Sequence, residues 1–330
     1  MQKRALGKQG MPASVVAFGA WAIGGWKWGG TDAQTSITAV QSALDAGIDF
    51  IDTAAVYGFG LSEKIVGEAI KGRNRDDIIV ATKCGLRWDI ETPTLHHSSN
   101  GVSVYRTLDE QSIRWELQES LQRLGTDYID LYQTHWPDPE IDIEAVAATL
   151  DALKKEGLIR AWGLCNESAE RLAAAAELGE LATDQERYSL LDRDQDTENL
   201  PVCIEHDLGF LCYSPIAQGL LTGKMDGKRQ FNADDLRIGN PRFSPPVLDA
   251  VQAVLAPVKS LARDKGVTTE QLVLGWTLKQ PGVSHVLVGA RDAHQATANA
   301  KAGTLDLDDE ELQIVQQAAN AWPGFAKFQE

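Results

Sequence analysis

Four polar side chains that could transfer or steer a proton lie at or just beyond the ends of strand-like segments. The segments are FIDTAAVYG, IIVATKCG and YIDLYQTHWPD, and the residues are Asp52, Tyr57, Lys83 and His135. A parallel α/β barrel collects the C-terminal ends of its strands on one face, so residues far apart in sequence can meet there. This placement predicts an active site.

The four residue types suit the protonation of a carbonyl oxygen. Free tyrosine has a pKa of about 10, and a neighbouring ammonium lowers that pKa by stabilising the phenolate. Lys83 is the candidate ammonium, and Asp52 would balance its charge. His135 would donate a hydrogen bond to the carbonyl oxygen beside Tyr57. The alternative is that Asp52 and Lys83 form an ion pair that only braces the barrel.

No residue pattern supplies the nucleophile that would attack the carbon. The sequence has no G-x-S-x-G or H-E-x-x-H motif, which favours a bound hydride donor. The run Gly58-Phe59-Gly60 lacks the third glycine of the Rossmann fingerprint, so a dinucleotide would bind on barrel loops. His96 and His97 have no further ligand at metal spacing, so we expect a solvent-exposed pair and no metal site.

Strand-like and amphipathic helical segments alternate along the chain. Strands are predicted at Val15–Ala20, Phe50–Thr53, Ile78–Thr82, Tyr128–Thr134, Arg160–Leu164, Ala182–Glu186, Phe210–Ser214 and Val286–Gly289. Eight such strands predict the α/β class and a (β/α)8 TIM barrel, in one domain spanning residues 1–330. A β-hairpin, Lys3–Leu6 with a return through Val15, precedes the barrel.

Helix signals support the same interpretation. Apolar residues repeat at helical spacing after Asp32, before Gly125 and before Gly157. Two long loops, residues 84–107 and 216–246, would form walls or lids of the catalytic face. The second loop is locally basic, which suits a flap over a phosphate-bearing cofactor, with a solvated loop as the alternative.

Composition excludes several classes of partner. The formal net charge is −16, from 47 acidic and 31 basic residues, and it disfavours nucleic acid and anionic membranes. The four cysteines lack close pairing, and no apolar run approaches the roughly 18 residues of a membrane span. We therefore expect a soluble, cytoplasmic monomer with reduced thiols and a small-molecule substrate.

Four longer stretches resemble the aldo-keto reductase family, near its bacterial polyol- and inositol-dehydrogenase-like members and its channel β-subunits. They are GIDFIDTAAVYGFGLSEKIVGEAI (47–70), YIDLYQTHWPDP (128–139), IRAWGLCNES (159–168) and YSPIAQGLLTGK (213–224). The resemblance implies a (β/α)8 barrel that binds NADP(H) in extended form. It implies that Tyr57 is the general acid in carbonyl reduction and the general base in alcohol oxidation.

The resemblance also implies a set of cofactor contacts. Asn166 and Gln185 would hold the nicotinamide carboxamide, Tyr213 would stack on the ring, and Trp21 would also contact the cofactor. The pyrophosphate would be surrounded by Ser214, Gln218, Gly219, Leu220, Gly223 and Lys224. The adenosine end would meet Gly289, Arg291, Gln295 and Asn299.

Two positions depart from the family pattern. Cys165 replaces the serine that commonly precedes Asn166, which exchanges a hydroxyl for a weakly hydrogen-bonding thiol. At the adenosine end Arg291 is the only obvious cation, and Asp292 follows it directly. We expect NADP(H) to be preferred, with some use of NAD(H).

Aromatic residues predict the substrate pocket, with Trp21, Phe59, Trp88 and Trp136 as its lining. Surface roles are the alternative for Trp26, Trp28 and Trp88, whereas Trp115, Trp162 and Trp276 are expected in the core. No arginine or lysine obviously faces the mouth, which ranks small aldehydes, ketoses and polyols such as glycerol above keto acids. The alternative function is a cofactor-sensing regulatory subunit resembling the channel β-subunits.

Overall fold

The computed structural model describes residues 1–99 and 101–328. Its strands are Lys3–Leu6 (β1), Met11–Ser14 (β2), Val16–Gly19 (β3), Phe50–Asp52 (β4), Ile79–Cys84 (β5), Leu86–Arg87 (β6), Thr94–Ser99 (β7), Val102–Arg106 (β8), Ile129–Thr134 (β9), Ile159–Cys165 (β10), Leu181–Arg187 (β11), Gly209–Tyr213 (β12) and Val283–Gly289 (β13). Its helices are Ala33–Asp45 (α1), Leu61–Ile70 (α2), Glu110–Leu124 (α3), Ile143–Lys155 (α4), Ala169–Leu178 (α5), Asn199–Glu205 (α6), Pro245–Lys265 (α7), Thr269–Thr277 (α8), Ala293–Ala300 (α9) and Asp309–Asn320 (α10).

Strands β3, β4, β5 and β9 to β13 form a closed parallel barrel. The barrel closes where β13 pairs with β3, with Val288 opposite Phe18, and β3 pairs in turn with β4. The predicted TIM barrel is confirmed, since every predicted strand overlaps a barrel strand. The strands are buried on both faces because helices surround the barrel, which explains their near-continuous apolar sequence.

The predicted N-terminal hairpin is also confirmed. Strands β1 and β2 are antiparallel, and Leu6 and Met11 belong to the apolar cluster that fills the barrel interior. The Arg4 guanidinium donates to the carbonyl oxygens of Val283 (2.7 Å) and Leu278 (2.9 Å). The hairpin therefore lies against the N-terminal ends of the barrel strands, opposite the predicted site.

The predicted helix boundaries follow from local capping. The Asp32 side chain accepts a hydrogen bond from the Thr35 backbone N–H at the start of α1. Gly125 ends α3 in the left-handed conformation, at φ 65°. These two signals agree with the structure because capping depends on neighbours in sequence.

The prediction for the core tryptophans is partly wrong. Trp162 and Trp276 are buried, but Trp115 is 42% exposed. Trp115 lies on α3, two positions after Ile113, and a helix turns by about 100° per residue, which carries it off the buried stripe. The Arg87 guanidinium covers its ring instead, with Cζ 3.8 Å from the ring centroid.

The two long connections are ordered in different ways. Residues 84–107 contain a three-stranded antiparallel sheet in the order β6-β8-β7, so this segment is more regular than the predicted loop. Residues 216–246 lack strands, but Asp235 forms a β-bridge with Trp28 and an ion pair with Arg237 (2.6 Å). This segment is therefore attached to the loop that follows β3.

The described residues also bear on the cysteine, metal and membrane expectations. All four cysteines are buried as free thiols. Residues 1–99 and 101–328 contain no group of three or more His, Cys, Asp or Glu side chains that could hold a metal ion. None of their helices combines the length and apolar character needed to cross a membrane.

Candidate active site

The four predicted catalytic side chains meet at the C-terminal end of the barrel. The Lys83 ammonium donates to both carboxylate oxygens of Asp52, at 2.9 and 2.8 Å, and to the Thr53 carbonyl oxygen at 3.0 Å. Lys83 Nζ lies 5.3 Å from the Tyr57 ring centroid. The rings of Tyr57 and His135 contact each other edge to face, with centroids 5.5 Å apart. The structure thus brings together residues from three barrel strands.

A tight turn after β4 presents Tyr57. Gly58 has φ 64°, and a Cβ atom there would lie 2.1 Å from the Gly24 carbonyl oxygen. Phe59 and Gly60 are also left-handed, at φ 54° and 91°, and Gly60 is the N-cap of α2. The close backbone approach needs a residue without a side chain, so Gly58 holds Tyr57 in position.

Two glutamines complete the surroundings of Asp52. Its Oδ1 atom accepts hydrogen bonds from Nε2 of Gln185 (2.9 Å) and of Gln133 (3.3 Å). Gln185 also donates to Gln133 Oε1 (3.1 Å). The sequence interpretation missed Gln133, although it lies on β9 two residues before His135, and alternate residues of an extended segment point to the same side.

Burial dominates the protonation of Tyr57 and His135. Burial raises the pKa of Tyr57 well above its usual range, and the charge on Asp52 adds to the increase. The lowering expected from Lys83 is therefore outweighed. Burial, followed by the positive charge of Lys83, keeps the pKa of His135 well below its usual value. Both side chains are neutral near pH 7, and each carries a proton that it can donate.

Asn166 and Tyr213 lie beside the catalytic residues. The Asn166 amide donates to the His135 carbonyl oxygen (2.9 Å) and accepts from the Tyr213 hydroxyl (2.8 Å). The Cys165 sulfur lies 3.1 Å from Asn166 Nδ2. Trp21 is close to the same point, with its ring centroid 6.2 Å from that of Tyr57. Gln185, in contrast, directs its amide nitrogen to Asp52.

The predicted pyrophosphate residues form an irregular turn after β12. Ser214, Ala217 and Gln218 have φ values of 54°, 45° and 54°, and Gly219 has φ 99°. The Leu220 side chain is buried in an apolar cluster, so only its backbone can face a ligand. Gly223 precedes Lys224, which is largely exposed and forms an ion pair with Glu270 (2.8 Å). The turn thus offers backbone groups and one cation.

The predicted adenosine residues lie at the end of β13 and on α9. Arg291 donates to the Gly30 carbonyl oxygen (3.1 Å), and its backbone N–H donates to Gln295 Oε1 (3.1 Å). Asn299 donates to the Gly289 carbonyl oxygen (3.1 Å). Asp292 caps α9 by accepting from the Gln295 backbone N–H (2.8 Å). A carboxylate therefore stands beside the cation Arg291.

Aromatic side chains form one wall of the mouth. Phe59, Trp88, Trp136 and Trp26 pack with Tyr57 around a buried apolar cluster. The ring centroid of Phe59 lies 4.7 Å from that of Trp26 and 5.5 Å from that of Trp88. The predicted pocket residues Phe59, Trp88 and Trp136 therefore share this wall, and Trp26 joins them.

The expectation of a solvent-exposed histidine pair is wrong. His96 packs on Trp136 and His97 stacks on Trp26, each with ring centroids 5.2 Å apart. Arg106 also stands here, with its guanidinium over the Trp136 ring. The expectation that no arginine faces the mouth is therefore wrong as well. Strands β7 and β8 carry these residues, and neither strand was predicted.

Comparisons with known proteins agree with this geometry. The family model described as "Aldo/keto reductase family" matches residues 15–320. Aldo-keto reductase YhdN of Bacillus subtilis (strain 168) is 39% identical over 94% of this chain and 92% of its own length. The NADH-specific methylglyoxal reductase of Escherichia coli (strain K12) is 37% identical, over 97% and 99%.

A solved structure supports the same assignment. The glycerol dehydrogenase AKR11B4 from Gluconobacter oxydans matches with a TM-score of 0.84 and 37% identity, over 95% of this chain and 93% of that one. The family model covers most of the chain, and two bacterial relatives match nearly end to end. The chain belongs to the aldo/keto reductase family of oxidoreductases.

Proposed function

We propose that this protein interconverts small aldehydes or ketones and the corresponding alcohols or polyols, with Tyr57 as the general acid and base. Glyceraldehyde, sugars and glycerol are the candidate substrate types, in keeping with the names of the methylglyoxal-reducing and glycerol-oxidising relatives. The observation that carries the proposal is the meeting of Tyr57, Lys83 and His135 at one point of the barrel mouth.

Each of these side chains has a defined part in proton transfer. A nicotinamide cofactor supplies or accepts a hydride when bound. In reduction, the protonated Tyr57 hydroxyl gives its proton to the substrate oxygen. The neutral His135 imidazole donates a hydrogen bond to the same oxygen. The Lys83 ammonium stabilises the phenolate that remains, and Asp52 holds the ammonium in place through two hydrogen bonds.

The residues around the site fit such a cofactor. Asn166 and Tyr213 lie next to His135, where a carboxamide and a flat ring need polar and aromatic partners. At the far end, a Cβ atom built on Gly289 would have, among the described residues other than its chain neighbours, only the Gly19 carbonyl oxygen within 4 Å, at 3.6 Å. This leaves open space over the end of β13 beside Arg291.

We propose that NADP(H) is preferred and that NAD(H) is also used. Arg291 supports the preference, because a guanidinium binds phosphate through paired hydrogen bonds. Asp292 opposes it, since its carboxylate repels a 2′-phosphate. The E. coli relative is named NADH-specific, whereas an aldo-keto reductase from Klebsiella pneumoniae, 26% identical, was solved in complex with NADPH.

A regulatory role is the second candidate. A probable voltage-gated potassium channel subunit beta of Arabidopsis thaliana is 31% identical over 92% of this chain. This chain matches the two bacterial enzymes with higher identity, which favours catalysis. A cofactor-binding protein without turnover would instead support the regulatory role.

The test compares wild type with Tyr57→Phe, using loss of NADPH or NADH absorbance and a panel of glyceraldehyde, methylglyoxal and ketoses. We expect turnover to fall by about 10²- to 10⁴-fold, because the phenol proton is lost. Cofactor affinity, measured by quenching of tryptophan fluorescence, should stay within about twofold. Unchanged turnover in the variant would refute the role of Tyr57. Tight cofactor binding without turnover in wild type would favour the regulatory candidate.

A further inference from the structure

One wall of the barrel mouth carries two histidines and an arginine, and the arginine has no carboxylate partner among the described residues. We call His96, His97 and Arg106, together with Trp136, the basic wall. Trp136 directly follows His135, and its ring lies 5.2 Å from His96 and 5.1 Å from the Arg106 guanidinium. His96 is also close enough to His135 to affect its pKa. The basic wall therefore borders the position of a bound substrate.

Arg106 has unused hydrogen-bonding capacity. Its Nε donates to His96 Nδ1 (3.2 Å) and its Nη1 to the Pro137 carbonyl oxygen (3.2 Å). Of the five N–H groups on a guanidinium, three have no partner among residues 1–99 and 101–328. Nor does any carboxylate of that part of the chain lie within 4.0 Å of Arg106.

Several other partly buried arginines of this acidic chain have a carboxylate partner, whereas Arg4 donates to the carbonyl oxygens of Val283 and Leu278 instead. Arg75 pairs with Asp130 at 2.7 Å, and Arg242 pairs with Asp192 at 2.8 Å. A guanidinium without a carboxylate partner keeps paired N–H donors available for an anion. Arg106 at the mouth of the barrel is placed for such an anion to arrive with the substrate.

The histidines favour the same type of ligand. Burial, followed by the charge of Arg106, lowers the pKa of His96 to about 4, so its imidazole is neutral. Because Nδ1 accepts from Arg106, the proton is on Nε2, which is a donor. The Lys27 ammonium lies 4.8 Å from the Trp26 ring centroid, and the Asp234 carboxylate lies near it, so the positive charge of this wall comes from Arg106. His97 Nε2 is buried and has no hydrogen-bond partner in the described structure. The wall thus presents donors and positive charge.

We propose, resting on the proposed carbonyl reduction, that Arg106 and His96 bind a carboxylate of the substrate. The preferred substrates are then small aldehydes or ketones with a carboxylate at the end away from the reacting carbonyl. A guanidinium matches a carboxylate through two parallel hydrogen bonds. Trp136 and Phe59 supply the apolar surface for the carbon chain between the two ends.

The test compares succinic semialdehyde with butanal, which share a four-carbon chain and differ in one terminal carboxylate. In wild type, kcat/KM should be at least about tenfold higher for the acid, as expected for one charged hydrogen-bonded contact. Arg106→Gln should lower that ratio by about 10- to 100-fold. The pair 4-carboxybenzaldehyde and benzaldehyde repeats the comparison at a longer reach.

Two further variants serve as controls. Arg263→Gln removes the same charge from the exposed face of α7, where Ser260 is its hydrogen-bond partner, and should leave both rates unchanged. Arg106→Lys keeps the positive charge but loses the pair of parallel donors. Its ratio of kcat/KM for the acid to kcat/KM for the uncharged aldehyde should therefore lie between the ratios of wild type and Arg106→Gln. Thermal unfolding shows whether each variant is folded. If Arg106→Gln does not fold, the comparison of Arg106→Lys with wild type provides the test.

The outcomes separate this proposal from the function on which it rests. The role of Arg106 is overturned if kcat/KM in wild type is the same for the acid and the uncharged aldehyde of both substrate pairs. It is also overturned if Arg106→Gln and Arg106→Lys leave the ratio of these two kcat/KM values unchanged. Tyr57-dependent turnover of butanal would still support the proposed function in that case. Absence of Tyr57-dependent turnover with every aldehyde overturns both.

Discussion

Removal of the Lys83 charge separates its structural role from its proposed catalytic role. The Lys83 side chain is fully buried and that of Asp52 is 5% exposed. Lys83→Met keeps the length of the side chain but removes the ammonium. Among residues 1–99 and 101–328, the donors that Asp52 then retains are the amides of Gln133 and Gln185. A buried carboxylate is left without a counter-charge.

The expected loss of stability follows from leaving the buried Asp52 carboxylate without a counter-charge. Breaking a buried ion pair from one side costs about 3–5 kcal/mol. For a chain of 330 residues, the entropy of unfolding near the midpoint is roughly 0.7 kcal/mol per kelvin. The melting temperature should therefore fall by about 4–7 °C.

The expected loss of activity follows from the distance between Lys83 and Tyr57. A unit charge about 5 Å from a developing phenolate contributes about 3 kcal/mol at an effective dielectric constant near 20. In the structure, Lys83 Nζ lies 5.3 Å from the Tyr57 ring centroid. Loss of that stabilisation should lower kcat by about 10²-fold.

The double variant Asp52→Asn/Lys83→Met is the matched control. It removes both charges, so its melting temperature should lie closer to wild type than that of Lys83→Met, while kcat stays low. Differential scanning calorimetry and single-turnover reduction with saturating cofactor measure the two quantities. If kcat in folded Lys83→Met is within about threefold of wild type, or if the double variant recovers activity, the electrostatic reasoning is refuted.

Two further predictions concern the turn beside Tyr57 and the pH dependence of stability. Gly58→Ala should lower the melting temperature and the turnover more than Gly72→Ala does. Both glycines have positive φ, but of the two only Gly58 faces a close backbone oxygen. Equal melting temperatures for the two variants would contradict this reasoning. Burial raises the pKa of Glu116 from 4.5 to about 8, and both its carboxyl oxygens accept from the Gly85 N–H. Since the folded protein retains a proton that the unfolded chain loses, stability falls as pH rises from about 4.5 to 8. Glu116→Gln should reduce this fall in a melting-temperature profile against pH, whereas a slope equal to that of wild type would show that Glu116 does not titrate there.

The barrel fold and the polar residues at the ends of its strands could be predicted, because both depend on the order of residues within short segments. Buried parallel strands need continuous apolar segments, and the chain places Asp52, Lys83 and His135 where such segments stop. Helix caps such as Asp32 act on backbone groups within a few residues. These features are visible in sequence because their causes lie close together along the chain.

Other features depended on contacts between distant segments. Gln133 and Gln185 are 52 residues apart, and only closure of the barrel directs both amides to Asp52. The pKa of Tyr57 follows from burial by several elements together, which outweighs the single charge on Lys83. Arg106 and His96 both contact the Trp136 ring because β7 and β8 pair as antiparallel strands. Local sequence cannot specify such placements, since each is set by the packing of segments that meet only in the folded chain.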